Sequence, residues 1–361
     1  MKNMTRKRKI LMRVLVIAAL AAVVLFVTQM AAAATVYSTI FARRFETGQA
    51  YRYSADEFPG LTEETVKFTN NSGTELSGYF YKCIEGEPKG LVVICHGFGG
   101  DANQFMDSAA FFAGNGFAVF SFDVTGSGKS GGSGAGGFPQ YTMDLMSAID
   151  FAKGLPGMQG LPVMLLGHSM GAYAAVNVFN FRDDVSAAAL LAGFEKSIDL
   201  INAGGAKLAG PLVKLISPLV KLWESIKFGR FSTGEGVRRL VESDAGVLVA
   251  QSTDDDNVPF SIGFERFLKA AAGDKDFEFV ELTGRGHDCV DFSLEATEYV
   301  KAFDWALEEF KASGNVTPEE IDAFITDNLD RSVWENTLDP GLYGRILALF
   351  ENAAAKAADA G

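Results

Sequence analysis

The chain has 361 residues, of which 48% are hydrophobic and 21% charged, a globular composition that excludes disordered, collagen-like and low-complexity classes. Net charge is −13, and the first thirteen residues oppose it with six Lys or Arg and no acid, leaving −19 on the rest. So acidic a body has no electrostatic footprint for nucleic acid, and three cysteines (Cys83, Cys95 and Cys289) are too few and too odd in number for a disulfide framework.

From Val14 to Ala42 no residue is charged, and a helix needs about 20 mostly apolar residues to cross a bilayer. Residues 1–42 therefore read as a basic stub followed by a single-pass membrane anchor. The basic flank predicts a cytoplasmic N-terminus and a body on the far side. The alternative is a secretory signal peptide cut near Ala31–Ala34, with the body released.

The body, residues 43–312, alternates short apolar runs with helical stretches. Strands are expected over Glu75–Tyr81, Leu91–Cys95, Ala118–Phe122, Val163–Leu166, Ala187–Leu191, Val247–Gln251 and Phe277–Leu282. Their apolar stretches are often continuous, as in strands covered on both faces. Helices are expected over Tyr141–Lys153 and Met170–Phe181. This alternation predicts an α/β fold with a mostly parallel central sheet and helices on both faces.

Residues 194–240 show no strand and read as a helical lid over the sheet. A short repeat, GPLVKLI at 210–216 and SPLVKLW at 217–223, puts Pro211 and Pro218 just inside two expected helix starts. Lys207, Lys214 and Lys221 share one face. Leu208, Leu212, Leu215, Leu219, Trp223 and Ile226 share another, expected to pack on the body or line an acyl pocket. Residues 313–361 read as a C-terminal extension of two helices, opened by the capping box Thr317-Pro-Glu-Glu320.

The chemistry concentrates at GHSMG, residues 167–171, where an apolar run meets G-x-S-x-G and a helical stretch follows. This strand–turn–helix context exposes a serine nucleophile, Ser169, at a helix N-terminus, where backbone N–H groups favour an oxyanion. A serine hydroxyl needs a base, and the chain has only three histidines. His168 adjoins Ser169 and is expected to point elsewhere. His96, in HGFGG, braces its loop. His287, in GRGH, lies downstream of the serine in a loop after the last strand, as the chain order Ser, acid, His requires. The acid lies between them in TDDDNVP, where Asp254, Asp255 and Asp256 compete; Asp255 is preferred. The oxyanion donors are assigned to the N–H of Met170 and to that of Phe98, with Gly99 as the fallback.

Together, HGFGG at 96–100, FDVTGSGKSGG at 122–132, GHSMG, and TDDDNVP followed by GRGH resemble the α/β-hydrolase superfamily, in the branch of monoacylglycerol lipases, lysophospholipases and serine aminopeptidase-like hydrolases. The resemblance spans residues 75–305. It implies the α/β-hydrolase fold and a serine hydrolase needing no cofactor. It also selects Asp255, three residues before Val258-Pro259, and maps the oxyanion donor onto Phe98. The chain departs from the family at Thr125, where arginine is frequent.

No metal is expected, since no His pair or Cys/His cluster has ligand spacing. TGSGKSGG at 125–132 lacks the first glycine of a phosphate loop and opens no helix. The expected function is hydrolysis of carboxylic esters, of apolar acyl or lipid-like type, through an acyl-enzyme on Ser169. One alternative is an aminopeptidase-like enzyme using Glu195, Asp199 or Glu224 for the substrate amine. Another is a non-catalytic binding protein.

Overall fold

A computed structural model describes residues 6–83, 86–274 and 276–360. The first residues of the basic stub, with Lys2, lie outside the described part. Eight strands form one sheet: β1 (Thr62–Thr69), β2 (Glu75–Lys82), β3 (Leu91–Cys95), β4 (Ala118–Phe122), β5 (Val163–His168), β6 (Val185–Leu191), β7 (Gly246–Ser252) and β8 (Phe277–Leu282). Their spatial order is β1-β2-β4-β3-β5-β6-β7-β8. β1 and β2 are antiparallel to their neighbours and the others run parallel. The seven expected strands are present, extended by a few residues at most. β1 is additional. Only Phe68 in it is buried, so the edge strand carries no apolar run.

The chain opens with helix α1 (Arg6–Ile40). Further helices are α2 (Met106–Gly114), α3 (Phe138–Gly154), α4 (Met170–Asn177), α5 (Ser197–Ala209), α6 (Val213–Phe228), α7 (Gly236–Val241), α8 (Phe264–Ala270) and α9 (Leu294–Ala312). The chain closes with α10 (Pro318–Asn328), α11 (Arg331–Trp334) and α12 (Pro340–Ala360). One core, with Leu145 and Ile149 of α3 and Tyr173 of α4, fills one face of the sheet. A second, with Phe112 of α2 and Tyr343, Ile346 and Phe350 of α12, fills the other. The C-terminal residues thus form three helices rather than two, and the last covers β6 and β7 as a layer of the body. The Thr317 capping box forms, with Thr317 N–H donating to Glu320 at 2.8 Å.

From β3 the chain passes through α2 on one face to β4. From β4 it returns through α3 on the opposite face to β5, on the far side of β3. The connections diverge between β3 and β5, and such a switch point opens a crevice at the strands' C-terminal ends.

The lid region is helical throughout, but the repeat does not mark two helix starts. Pro218 lies inside α6, which runs unbroken through it. The buried stripe of α6 is Val213, Ser217, Val220, Glu224 and Phe228, and this continuous contact offsets the backbone bond that proline removes. The expected leucine face is therefore only partly inward: Leu215 is 73% exposed and Ile226 64%. The side chains of Leu208 and Leu212 lie outside the described residues.

What α6 packs on is the end of α1. The first part of α1 is apolar, with a mean hydropathy of 2.9, and makes no buried contact; by length and composition it can cross a membrane. Its last turns bury Ala33 and Tyr37. Tyr37 Oη donates to Glu224 Oε1 at 2.8 Å and accepts from Phe138 N–H at 3.2 Å. Glu224 is fully buried and also accepts from Ser197 Oγ at 2.6 Å and Lys221 Nζ at 2.8 Å. This carboxylate ties the long helix, both lid helices and α3 together. Tyr37→Phe deprives a buried charge of one donor and is expected to destabilise by about 1.5–3 kcal/mol. Thermal unfolding of the detergent-solubilised full chain checks this.

Candidate active site

Ser169 sits between β5 and α4 with φ 53° and ψ −115°, a left-handed conformation rare for a side-chain-bearing residue. The turn is held by Ser169 N–H donating to Leu191 O at 2.9 Å and Tyr173 N–H donating to Ser169 O at 2.9 Å. It also needs its glycines. A Cβ on Gly171 would stand 1.9 Å from Cys95 O, and one on Gly167 would stand 2.6 Å from Gly171 O. Neither clash is with a side chain that could swing away.

Four loops at the C-terminal ends of β3, β5, β7 and β8 converge here. His287 Nε2 lies 2.8 Å from Ser169 Oγ, and His287 Nδ1 lies 2.9 Å and 3.0 Å from the two Asp255 oxygens. Asp255 is buried, and its Oδ1 also accepts the N–H groups of Asn257 at 2.9 Å and Val258 at 2.8 Å. Burial alone would raise its carboxyl, but His287, the Val258 N–H and Gln251 Nε2 outweigh burial and hold it below the usual value. The other two aspartates face other tasks. Asp254 accepts Gly284 N–H at 3.0 Å and Gly286 N–H at 3.3 Å, ordering the loop that carries His287. Asp256 contributes its backbone oxygen to Lys207 Nζ at 2.6 Å.

The Phe98 and Met170 N–H groups donate to no acceptor among the described residues. Met170 opens α4, and the first N–H groups of a helix have no partner within it. His96 is buried and accepts Val124 N–H through Nε2 at 3.2 Å, with Nδ1 2.7 Å from Gly97 O; it fixes the loop before Phe98. Its pKa is lowered by burial.

Three features escaped the sequence. His168 sits with its ring centroid 5.0 Å from that of His287, its Nε2 3.0 Å from the His287 carbonyl oxygen. Burial first, then His287, lowers its pKa to about 4, so it is neutral at pH 7 and holds the His287 loop as an Nε2–H donor. Gln251 Nε2 donates to Asp255 Oδ2 at 3.1 Å. The ring of Phe98 sits between Phe41, at 5.6 Å, and Phe45, at 4.6 Å, both just past α1. Arg44 anchors the same segment by donating to the Gly128, Ser130 and Gly132 carbonyls. No histidine count or motif spacing carries these contacts.

The acids considered for a substrate amine are already engaged. Glu195 pairs with Arg266 at 3.2 Å and accepts Val237 N–H at 3.1 Å, and Asp199 pairs with Arg266 at 2.5 Å. Glu224 holds the lid as described above.

An eight-stranded, mostly parallel sheet with these loops at its C-terminal edge is the α/β-hydrolase fold. A Pyrococcus furiosus esterase has the same fold, with a TM-score of 0.53 and 17% identity over 75% of this chain and 97% of its own. Within the superfamily the sequence resembles the monoacylglycerol lipase branch. The profile of the serine aminopeptidase S33 family matches residues 86–254. Human monoglyceride lipase is 35% identical over 117 residues, 32% of this chain and 37% of that protein. Monoacylglycerol lipase of Mycolicibacterium smegmatis is 32% identical over 90 residues, 24% of this chain and 30% of that protein. The chain thus spans about a third of the length of the curated relatives it matches.

Two outcomes follow from the geometry. Gly171→Ala forces a methyl into the Cys95 carbonyl and is expected to lower stability by more than about 3 kcal/mol, read from the urea midpoint. A carboxyl lowered on folding contributes stability above its unfolded pKa of about 3.9 and loses it as pH falls through the folded value. The stability deficit of Asp255→Asn is therefore expected in full at pH 7 and should shrink below pH of about 4, checked by unfolding both proteins across that range.

Proposed function

We propose that this chain is a membrane-anchored serine hydrolase of carboxylic esters with apolar acyl chains. The observation that carries the reading is the continuous Ser169–His287–Asp255 hydrogen-bonded line at a left-handed strand–helix turn. Ser169 Oγ attacks the ester carbonyl carbon while His287 Nε2 takes its proton. Asp255 keeps Nδ1–H oriented and stabilises the imidazolium without accepting the proton. The carbonyl oxygen, now negative, receives the Met170 and Phe98 N–H groups; one such donor is worth about 3 kcal/mol in a transition state. His287 then protonates the departing alcohol. Water enters, gives a proton to His287 and attacks the acyl carbon, and the carboxylic acid leaves as Ser169 regains its proton. Every proton is accounted for by these side chains.

The lipase and esterase relatives support esters as the substrate class, and the two curated relatives named above support a lipid-like acyl chain. Phe41 and Phe138, stacked edge to face at 5.0 Å beneath the lid, suit such a chain. A membrane location is supported by α1. At about 1.5 Å per residue its 35 residues exceed the hydrocarbon thickness of about 30 Å, and its docked end holds the body close to the surface. The basic flank supports a cytoplasmic N-terminus, with the catalytic body on the opposite side. The engaged lid acids weigh against a peptidase.

The full chain in detergent is expected to hydrolyse a p-nitrophenyl ester series. Ser169→Ala should lose about 10⁴-fold or more in kcat and all labelling by a fluorophosphonate. Turnover of an aminoacyl anilide without ester turnover would replace this reading with a peptidase.

A further inference from the structure

A half-open cavity of about 500 Å³ adjoins the catalytic centre. Its inner wall is Gly97, Phe98 and His168, and a Cβ placed on Gly97 would stand 3.4 Å from Ser169 Cβ. Its outer wall comes from parts of the chain that the catalytic reading does not use: residues 46–53, the segment after His287, α9 and α11.

The lining is unusual in charge. Glu46, Asp288, Asp291 and Asp304 border it, and no lysine or arginine does. Among the described residues none of these four forms a salt bridge, although most buried or half-buried acids elsewhere in the chain have partners. Asp291 lies at the cavity wall with 5% exposure, and its carboxyl meets only its own backbone N–H. Burial first, then Asp107 and Asp288, push this carboxyl up to about 8, with Arg285 the opposing charge; Arg285 itself is paired to Asp339 at 2.8 Å. The Asp304 carboxyl is likewise raised, by burial and then by Asp288. Asp291 and Asp304 thus share Asp288 as an acidic neighbour, and the nearby cations, Arg285 and Lys311, line no part of the cavity.

The rest of the wall is aromatic. Tyr51, Phe303 and Trp334 meet at the outer side, with Tyr51 and Trp334 rings 5.3 Å apart and Tyr51 and Phe303 rings 6.3 Å apart. Trp334 is fixed by donating Nε1–H to Tyr51 O at 3.0 Å. Ring faces attract cations, and a cavity with both aromatic walls and acids lacking salt-bridge partners is matched by an organic ammonium ion. A metal ion would gain nothing from the rings. We propose that this cavity is a subsite for an ammonium group, quaternary or primary, on the alcohol half of the ester substrate. The proposal rests on the ester-hydrolase reading of Ser169. The alcohol half is assigned because the proposed acyl chain is apolar and this lining is acidic.

The test compares lauroylcholine with 3,3-dimethylbutyl laurate, its uncharged isostere, on the full chain in neutral detergent at fixed ionic strength. The choline ester is expected to have a kcat/KM about tenfold higher or more. That ratio, read within each protein, should fall at least about fivefold in Asp288→Asn/Asp304→Asn and in Trp334→Ala. Equal turnover of the two esters by the unaltered chain overturns the subsite and leaves the hydrolase intact. Absence of turnover for both, with no fluorophosphonate label, overturns the hydrolase instead. The subsite is then read directly, from tryptophan fluorescence on titration with tetramethylammonium against neutral tert-butanol. Ammonium-selective quenching lost in the Asp288→Asn/Asp304→Asn chain upholds it, and equal or absent responses overturn it.

Discussion

The left-handed turn at Ser169 is the constraint around which the rest is arranged. A non-glycine residue at φ 53° is strained, and such a residue persists only where its surroundings over-determine it. Here they do. The Ser169 N–H is held by β6 through Leu191, its carbonyl starts α4, and Gly171 lies directly against the end of β3. Because the turn is pinned to strands on both sides, Ser169 Oγ has one direction, and it is the direction from which His287 approaches. The loops after β7 and β8 are then aligned to it in turn. Gln251 and two backbone N–H groups fix Asp255, Asp254 fixes the glycines before His287, and His168 fixes the carbonyl of His287 itself.

A second frame couples this turn to the long N-terminal helix. Tyr37 reaches a fully buried carboxylate on the lid, and the next residues carry Phe41 and Phe45 to both sides of Phe98. The loop that carries Phe98 is therefore clamped by the segment that follows α1. The end of α1 has ordered contacts to the lid, to α3 and to the loop after β3, so it contributes to the shape of the site.

Much of this was legible in the sequence because the signals were local. Continuous apolar runs marked the strands buried on both faces, and G-x-S-x-G with a helix behind it marked the turn. What was not legible depends on long-range pairing. β1 has an exposed pattern because it lies at the edge. Pro218 reads as a helix start, and tertiary contact along α6 overrides it. Asp254 reads only as a competitor of Asp255, and the folded loop shows which N–H groups it meets. The face of α6 that is buried is chosen by Tyr37, 187 residues away from Glu224 in sequence, and no periodicity within α6 encodes that.

The same reasoning separates the two kinds of acid in the chain. Asp255 and Glu224 are buried among donors that compensate them, and removing a donor leaves an uncompensated charge. Asp291 is buried with no donor but its own backbone N–H, near Asp107 and Asp288, and its carboxyl is pushed up to about 8, so at pH 7 it gives up its charge on folding unless a cation meets it. Like the strain at Ser169, it is a local cost placed next to the chemistry rather than scattered through the molecule. Strain and unpaired charge cluster at sites where a ligand completes the interaction. The ammonium subsite and the left-handed serine thus have a common physical form. Each is incomplete in the free protein, and in the proposed reaction each is completed by a different part of one ester.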